Sequence, residues 1–459
     1  MKKVSILILM LLSVCRMSFS QQITGTDLSM DRSVGGISSG TFVRITFSFP
    51  TTTPDGRDTT LTGAIAMNSD VYDKTTTAKG LILNHQYTIM RYNECPSRTS
   101  SMQVESLLLS DAFLIGKGTG SNYIIVSPDN YGFGGDDVEM QAYLYGDFTA
   151  RGSLDCLRAA KTVLASEGYE YGDILASVGY SQGGHSSMAT MKRVDTTGEY
   201  PDLKFNYFCC GGGPHDLDAI YKMYVADGAT TTSPVVIPLI YSNITKMERL
   251  TGNEIFEKYS DMDLYPSPIC DSVAIWYNGK YSMGNINSRL LNICGGGSSV
   301  DVARVVNPDV IDSTKVLSCD YREILLQNSL NRDWTPDTSN HVYLFHYSED
   351  EVVPPVCTAN MAEFLRQKGF DDDHLTFLDY DPSVFMKMLM SHAYAAAIFV
   401  DGVAGILNGL TPSSDGIHNI GVSEKSVSDD RIFDLYGRRL NAIPEKGIYI
   451  RGGKKFLVK

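Results

Sequence analysis

Ile174-Leu175-Ala176-Ser177-Val178-Gly179-Tyr180-Ser181-Gln182-Gly183-Gly184-His185-Ser186-Ser187-Met188-Ala189 is the stretch on which the fold turns. Its first five residues form a short apolar run suited to a strand buried between layers, and its last six are small residues suited to a closely packed helix. Between them stands Gly179-x-Ser181-x-Gly183. A turn this tight forces its central residue into a strained backbone, and glycines two before and two after it relieve the close contacts. The same turn exposes the Ser181 hydroxyl at a helix N-terminus, where developing negative charge is favoured. A second match, Gly36-Ile37-Ser38-Ser39-Gly40, follows a polar segment and precedes a strand-like run, so it reads as a flexible turn.

Outward from this unit, strand-like runs alternate with helical patterns from residue 41 to 379, as in a doubly wound, mostly parallel α/β sheet. Strands are predicted over 41–49, 61–67, 80–84, 123–127, 174–180, 204–210, 341–347 and 375–379. Helices are predicted over 101–110, 152–166, 184–193, 358–368 and 392–407. The helical spacing is plainest where Leu154, Leu157, Ala160, Val163 and Leu164 share one side. Residues 214–340, rich in Tyr, Met, Ser and Asn, lack alternating strands and read as an inserted cap, because long structureless loops are rare in compact domains. Residues 411–430 are a polar, Ser-rich linker, and 431–459 form a small β tail with short strands and Gly-containing turns. No internal repeat is present.

The chain has 459 residues, 43% hydrophobic and 20% charged, enough for a sizeable core. Its net charge of −14 argues against nucleic acid as a partner. Residues 1–20 read as a signal peptide: Lys2-Lys3 is followed by an apolar run from Val4 to Val14, too short to span a bilayer, and Ser18-Phe19-Ser20 offers a cut before Gln21. Cys15 follows branched Val14, which argues against a lipid anchor. An exported chain would occupy the periplasm, the cell surface or the medium, and disulfides become permissible there. Cys209-Cys210 read as buried thiols, whereas Cys270, Cys294 and Cys319 fall in a loop-rich region and are the better candidates for bridging. No CxxC pair and no His-x-x-x-His supports a metal site, and no cofactor motif stands out.

A serine hydroxyl is a poor nucleophile without a base, so an acid and then a histidine should follow Ser181 along the chain. The strand 341–347 is followed by Glu349-Asp350-Glu351, three adjacent acids that spacing alone does not separate. Of the histidines, His85, His185, His215, His341 and His346 precede the acids, His374 starts a strand, and His418 lies in the linker. His392 opens an apolar helix after the strand 375–379, where a base can project over the strand ends. The oxyanion should meet the backbone N–H of Gln182 and a second one from the loop Asn84-His85-Gln86-Tyr87-Thr88, at Gln86 or Tyr87.

Several segments together resemble the secretory-lipase type of α/β-hydrolase. His85-Gln86-Tyr87-Thr88 with Glu94-Cys95-Pro96-Ser97 resembles that family's HG-T…CAPS segment. The run from Asn122 through Pro128-Asp129-Asn130-Tyr131-Gly132-Phe133-Gly134 is similar to its GYVVVAPDYxGFG. Ser153-Leu154-Asp155-Cys156-Leu157-Arg158-Ala159-Ala160 precedes the elbow as it does in the family, and Gly211-Gly212-Gly213-Pro214 with Asp216-Leu217 resembles the GAGPxDL that opens its cap. Asp350-x-x-Val353-Pro354 is similar to its DxxVP motif, which implies Asp350 as the acid. The resemblance covers residues 41 to 407 and implies an α/β-hydrolase domain over 21–410, with its cap over about 214–340. One departure is Gln86, where the family carries glycine, and a side chain there bears on the shape of the oxyanion loop. The tail, with Ile432-Phe433-Asp434-Leu435-Tyr436-Gly437 and Lys446-Gly447-Ile448-Tyr449-Ile450, resembles the C-terminal sorting modules of type IX secretion cargo. That implies export machinery as a partner; the alternative is a small stabilising β appendage.

The expected function is a cofactor-independent carboxylesterase or lipase-like hydrolase acting on a small or polymer-linked ester. Ser181 is its nucleophile, His392 its base and Asp350 the orienting acid, and the N–H groups of Gln182 and Tyr87 hold the oxyanion. A serine peptidase of the same fold and a catalytically silent surface binding protein are the competing readings.

Overall fold

Short apolar runs between Gly, Pro and Asn punctuation become the strands, and their alternate side chains divide between two cores. The computed structural model describes residues 22–27, 42–98, 122–133, 141–387 and 390–412, together with four strands of the tail. The main sheet contains β1 (Gln22–Asp27), β2 (Phe42–Thr52), β3 (Asp58–Asn68), β4 (Ala78–His85), β5 (Tyr123–Pro128), β6 (Tyr171–Tyr180) and β7 (Tyr207–Gly211). It is completed by β10 (His341–Tyr347) and β11 (Leu375–Tyr380), after a two-strand ribbon in the cap of β8 (Thr230–Thr231) and β9 (Val300–Asp301). The order is β1-β2-β3-β5-β4-β6-β7-β10-β11. From β5 to β11 all pairings are parallel, and β1, β2 and β3 add an antiparallel edge. β1 has no counterpart among the strands expected from sequence, because its polar, Gly-containing run with a register shift between Ile23 and Gly25 lacks an apolar signature.

The helices that cover the sheet are α1 (Gly146–Ser166), α2 (Gln182–Thr197), α8 (Val356–Gln367) and α9 (His392–Gly409). The cap supplies α3 (Leu217–Val225), α4 (Val236–Leu250), α5 (Ser267–Trp276), α6 (Met283–Ile293) and α7 (Val316–Asn328). Leu81 and Leu83 of β4 with Val342 and Leu344 of β10 pack in one core with Leu154, Met188 and Leu365 from α1, α2 and α8. Ile82, Tyr343 and Phe345 point the other way, onto Ala395, Phe399, Val403 and Leu407 of α9. Each fully buried side chain of this size contributes roughly 1.5–3 kcal/mol, so α9 is fixed firmly to the strands. The cap has its own core, built on Leu217, Tyr241, Ile269, Ile286 and Tyr321.

Two helices begin earlier than their apolar periodicity indicates. α1 starts at Gly146, where a Cβ would approach that of Ala189 to 3.0 Å, so glycine lets its first turn press against α2. α2 starts immediately after the turn residue Ser181. The helix expected over 101–110, the Ser38 turn, the signal segment and most of the linker lie outside the described residues. All eight described cysteines are thiols: Cys209 and Cys210 are buried, and the bridging expected among Cys270, Cys294 and Cys319 does not occur. Cys294 Sγ donates instead to the Arg304 carbonyl and Cys319 Sγ to that of Ser313. The chain divides into two compact units, Met1–Ile417 and His418–Lys459. The second holds a four-stranded antiparallel sheet of Ile432–Phe433, Arg439–Leu440, Gly447–Arg451 and Lys454–Val458.

Candidate active site

In an open parallel sheet, ligands meet the carboxyl ends of the strands. β6 ends there in Tyr180, and the chain reverses through Ser181 at φ 57° and ψ −122° before entering α2. Such a backbone is costly for a residue with a Cβ and persists only where the surroundings over-determine it. Here they do. A Cβ on Gly179 would lie 2.2 Å from the Gly183 carbonyl oxygen, one on Gly183 2.3 Å from that of His85, and one on Gly184 2.6 Å from that of Gly211. The Ser181 N–H also donates to the Gly211 carbonyl at 2.8 Å. The elbow is thus wedged between the ends of β4 and β7.

The structure brings three of the sequence-derived residues together. Ser181 Oγ lies 2.8 Å from His392 Nε2, and His392 Nδ1 lies 2.5 Å from Asp350 Oδ2. Asp350 Oδ1 accepts the backbone N–H groups of Val352 and Val353 at 2.9 and 2.8 Å, so the carboxylate has one face for the loop and one for the imidazole. Burial alone would push the Asp350 carboxyl up, but His392 and His346 beside it hold it well below the usual carboxylate range. For His392, burial favours the neutral ring, and the adjacent Asp350 outweighs that and raises its pKa. Tyr180 fixes the ring from below: its hydroxyl donates to the His392 carbonyl at 2.8 Å, and the two rings sit 5.1 Å apart.

Gln182 opens α2 directly behind Ser181, and Tyr87 and Thr88 line the cavity in front of it. Gln182 donates from Nε2 to Gln141 Oε1 at 3.3 Å, and Gln141 donates to the Ile89 carbonyl, tying the elbow to the loop after β4. Gln86 is buried, and neither atom of its side-chain amide has a hydrogen-bond partner. Its backbone carbonyl packs beside Gly183, and its side chain is not among those that line the cavity. His85 is no base here. Its ring is bonded to Ser177 at 3.0 Å, and burial pushes its pKa down to about 3.

Two residues at the site escape sequence reasoning. His346 Nε2 donates to the Val353 carbonyl at 2.9 Å and stands 3.5 Å from Asp350 Oδ2, while its Nδ1 accepts from Thr358 at 2.6 Å. Chain order removes it as a base and says nothing of a supporting role. Glu351 accepts the His392 backbone N–H at 3.0 Å. Its place beside the acid motif is a signal only once the fold returns α9 to that loop.

Beyond Ser181 lies a cavity of about 510 Å³ between the strand ends and the cap. Tyr143, Leu144, Ile220, Tyr224, Val236 and Ile240 give it an apolar wall. A space of this size and polarity suits a small organic ligand. Among the described residues no group of three or more His, Cys, Asp or Glu side chains is placed to hold a metal ion.

No protein-family model matches the chain, and no curated protein sequence matches it. Solved structures do. The rice cell wall degrading esterase LipA from Xanthomonas oryzae superposes with a TM-score of 0.64 at 17% identity, covering 84% of this chain and 98% of the esterase. Candida antarctica lipase A in its closed state gives a TM-score of 0.56 at 14% identity, covering 86% of this chain and 83% of the lipase. At such identities the likeness carries the fold, and the fold is that of an α/β-hydrolase with an inserted cap.

Proposed function

We propose that the chain is an exported serine carboxylesterase, working through an acyl-enzyme on Ser181. The observation that carries this reading is the hydrogen-bonded line from Asp350 through His392 to Ser181, opening on an apolar cavity. In the first half-reaction Ser181 Oγ bonds to the ester carbonyl carbon as its proton passes to His392 Nε2. Backbone N–H groups of Gln182 and Tyr87 hold the resulting oxyanion. Collapse breaks the carbon–oxygen bond to the alcohol, which leaves with the proton from His392. Water then repeats the sequence, giving its proton to His392, and the carboxylic acid departs as Ser181 Oγ regains a proton. Asp350 stays ionised throughout and fixes the imidazole tautomer.

The Tyr-, Leu- and Ile-lined wall suits an apolar or aromatic acyl group, whether a short acylglycerol or an acetyl or feruloyl ester on a polymer. The esterase and lipase named among the similar folds support the ester class. The signal-like N-terminus and the tail support export, with the tail engaging the export machinery; deleting 418–459 and fractionating the cells tests that part. The enzymatic reading is tested with a fluorophosphonate probe, then nitrophenyl esters beside aminoacyl anilides. Labelling of wild type and not of Ser181→Ala is expected, with faster ester than anilide turnover. No labelling would favour a silent binding protein, and faster anilide turnover a peptidase.

A further inference from the structure

Glu351 follows the triad acid in sequence and lines the cavity with Ser181 and His392; unlike the buried His392 it is exposed, as is Tyr394, which places it at the cavity's mouth. Both its carboxylate oxygens accept the His392 backbone N–H, at 3.1 and 3.0 Å, where α9 begins. The start of a helix concentrates partial positive charge, so the carboxylate is anchored there. Among the described residues no lysine or arginine is bridged to it, and Lys387 nearby is bridged to Glu349 and to Asp381, each at 2.6 Å. Among the described residues no lysine, no arginine and no second carboxylate lines the cavity. In ester cleavage the departing oxygen must reach His392 Nε2 to collect its proton. The alcohol half of the substrate therefore leaves past the residue to which Glu351 is bonded. A negative charge at a mouth with apolar walls focuses its field on that path.

We propose that Glu351 is a specificity-determining residue that favours esters whose alcohol is cationic and disfavours those whose alcohol is anionic, an inference that rests on the ester-hydrolase reading above. The test compares butyrylcholine with 3,3-dimethylbutyl butyrate, which has the same shape with carbon in place of the charged nitrogen. Rates are divided by those of hydroxide-catalysed hydrolysis, to remove the difference in intrinsic reactivity. At low ionic strength kcat/KM should favour the choline ester by about tenfold or more. The preference should fall toward one at about 0.5 M salt, where exposed charges are screened. It should also fall in Glu351→Gln, which keeps an acceptor for the His392 N–H, and persist in Glu349→Gln. A wild-type ratio near one with good turnover of the neutral ester overturns the inference and leaves the esterase standing, as does a ratio unchanged in Glu351→Gln. No turnover of either ester, with no probe labelling, overturns the esterase reading itself. Should Glu351→Gln not fold, a wild-type ratio indifferent to salt is the refuting result.

Discussion

Replacing Asp350 by asparagine changes no volume, yet the hydrogen bonds around it dictate which way the new amide must face. Oδ1 accepts two backbone N–H groups, from Val352 and Val353, so the asparagine oxygen has to remain there. The amide NH2 then occupies the Oδ2 position, 2.5 Å from His392 Nδ1 in the native protein. A donor at that place demands an acceptor, and His392 can meet it only by moving its proton to Nε2. That nitrogen faces Ser181 Oγ at 2.8 Å and can no longer take its proton. His346 keeps its bond to the Val353 carbonyl, so nothing restores the lost tautomer. An asparagine in this role in another serine hydrolase costs about 10⁴ in kcat. That loss equals about 5.4 kcal/mol of barrier. The assay is the steady-state rate on a nitrophenyl ester from pH 6 to 10, with thermal unfolding to show that the fold survives. A loss of that order is expected near neutrality, with KM little changed. An Asp350→Asn enzyme within about tenfold of wild type would refute the assigned tautomer and with it the orienting role of Asp350.

Gly183→Ala should cost roughly a hundredfold in kcat, because its Cβ would meet the His85 carbonyl oxygen at 2.3 Å and displace the loop that carries Tyr87. Near-native kcat in this variant would show that the loop has room to move without harm. Stability should fall below pH 6.5. Burial holds His85 down to about 3 and His185 down to about 4, whereas in the unfolded chain each takes a proton near pH 6.5. Their folded values lie below the unfolded one, so the neutral rings' contribution is complete above pH 6.5 and is lost as pH falls, by about 1.4 kcal/mol per pH unit for each histidine. His392, with its folded value raised, is fully stabilising throughout this window and loses its contribution only as pH rises through that value. Urea midpoints between pH 6.5 and 4.5 read the effect. A flat series, or an equal slope in His185→Gln, would contradict it.

The parallel strands and α1, α2, α8 and α9 are legible in sequence because each buries a face, and burial imposes a period on residues such as Leu154, Leu157 and Ala160. β1 is not, since an edge strand is held by main-chain bonds to β2 and needs no apolar alternation. The cap is legible only as an interruption. Its core buries residues such as Tyr265 and Tyr321, whose hydroxyls meet specific partners: Ser242 for Tyr265, Thr245 for Tyr321. Those pairings lie far apart in sequence and leave no pattern. The early start of α1 escapes for a similar reason, because Gly146 is a poor helix former chosen for its contact with α2.

Glu349-Asp350-Glu351 shows where sequence reasoning about the site runs out. Spacing leaves the three acids equivalent, and a turn following a strand exposes several of its side chains to solvent. What distinguishes them is the partner the fold brings to each. Glu349 meets Lys387; Asp350 meets the His392 ring and the N–H groups of its own loop; Glu351 meets the His392 backbone. The non-local partners, Lys387 and His392, meet the loop after β10 only when the whole sheet is formed. The residue best able to act as the acid is therefore the one that is both buried and bonded to two backbone N–H groups, because those bonds keep its charge in place without solvent. Glu349 and Glu351 lack that support and stay exposed, Glu349 paired with Lys387 and Glu351 lining the cavity beside His392, whereas Asp350 is buried against the imidazole.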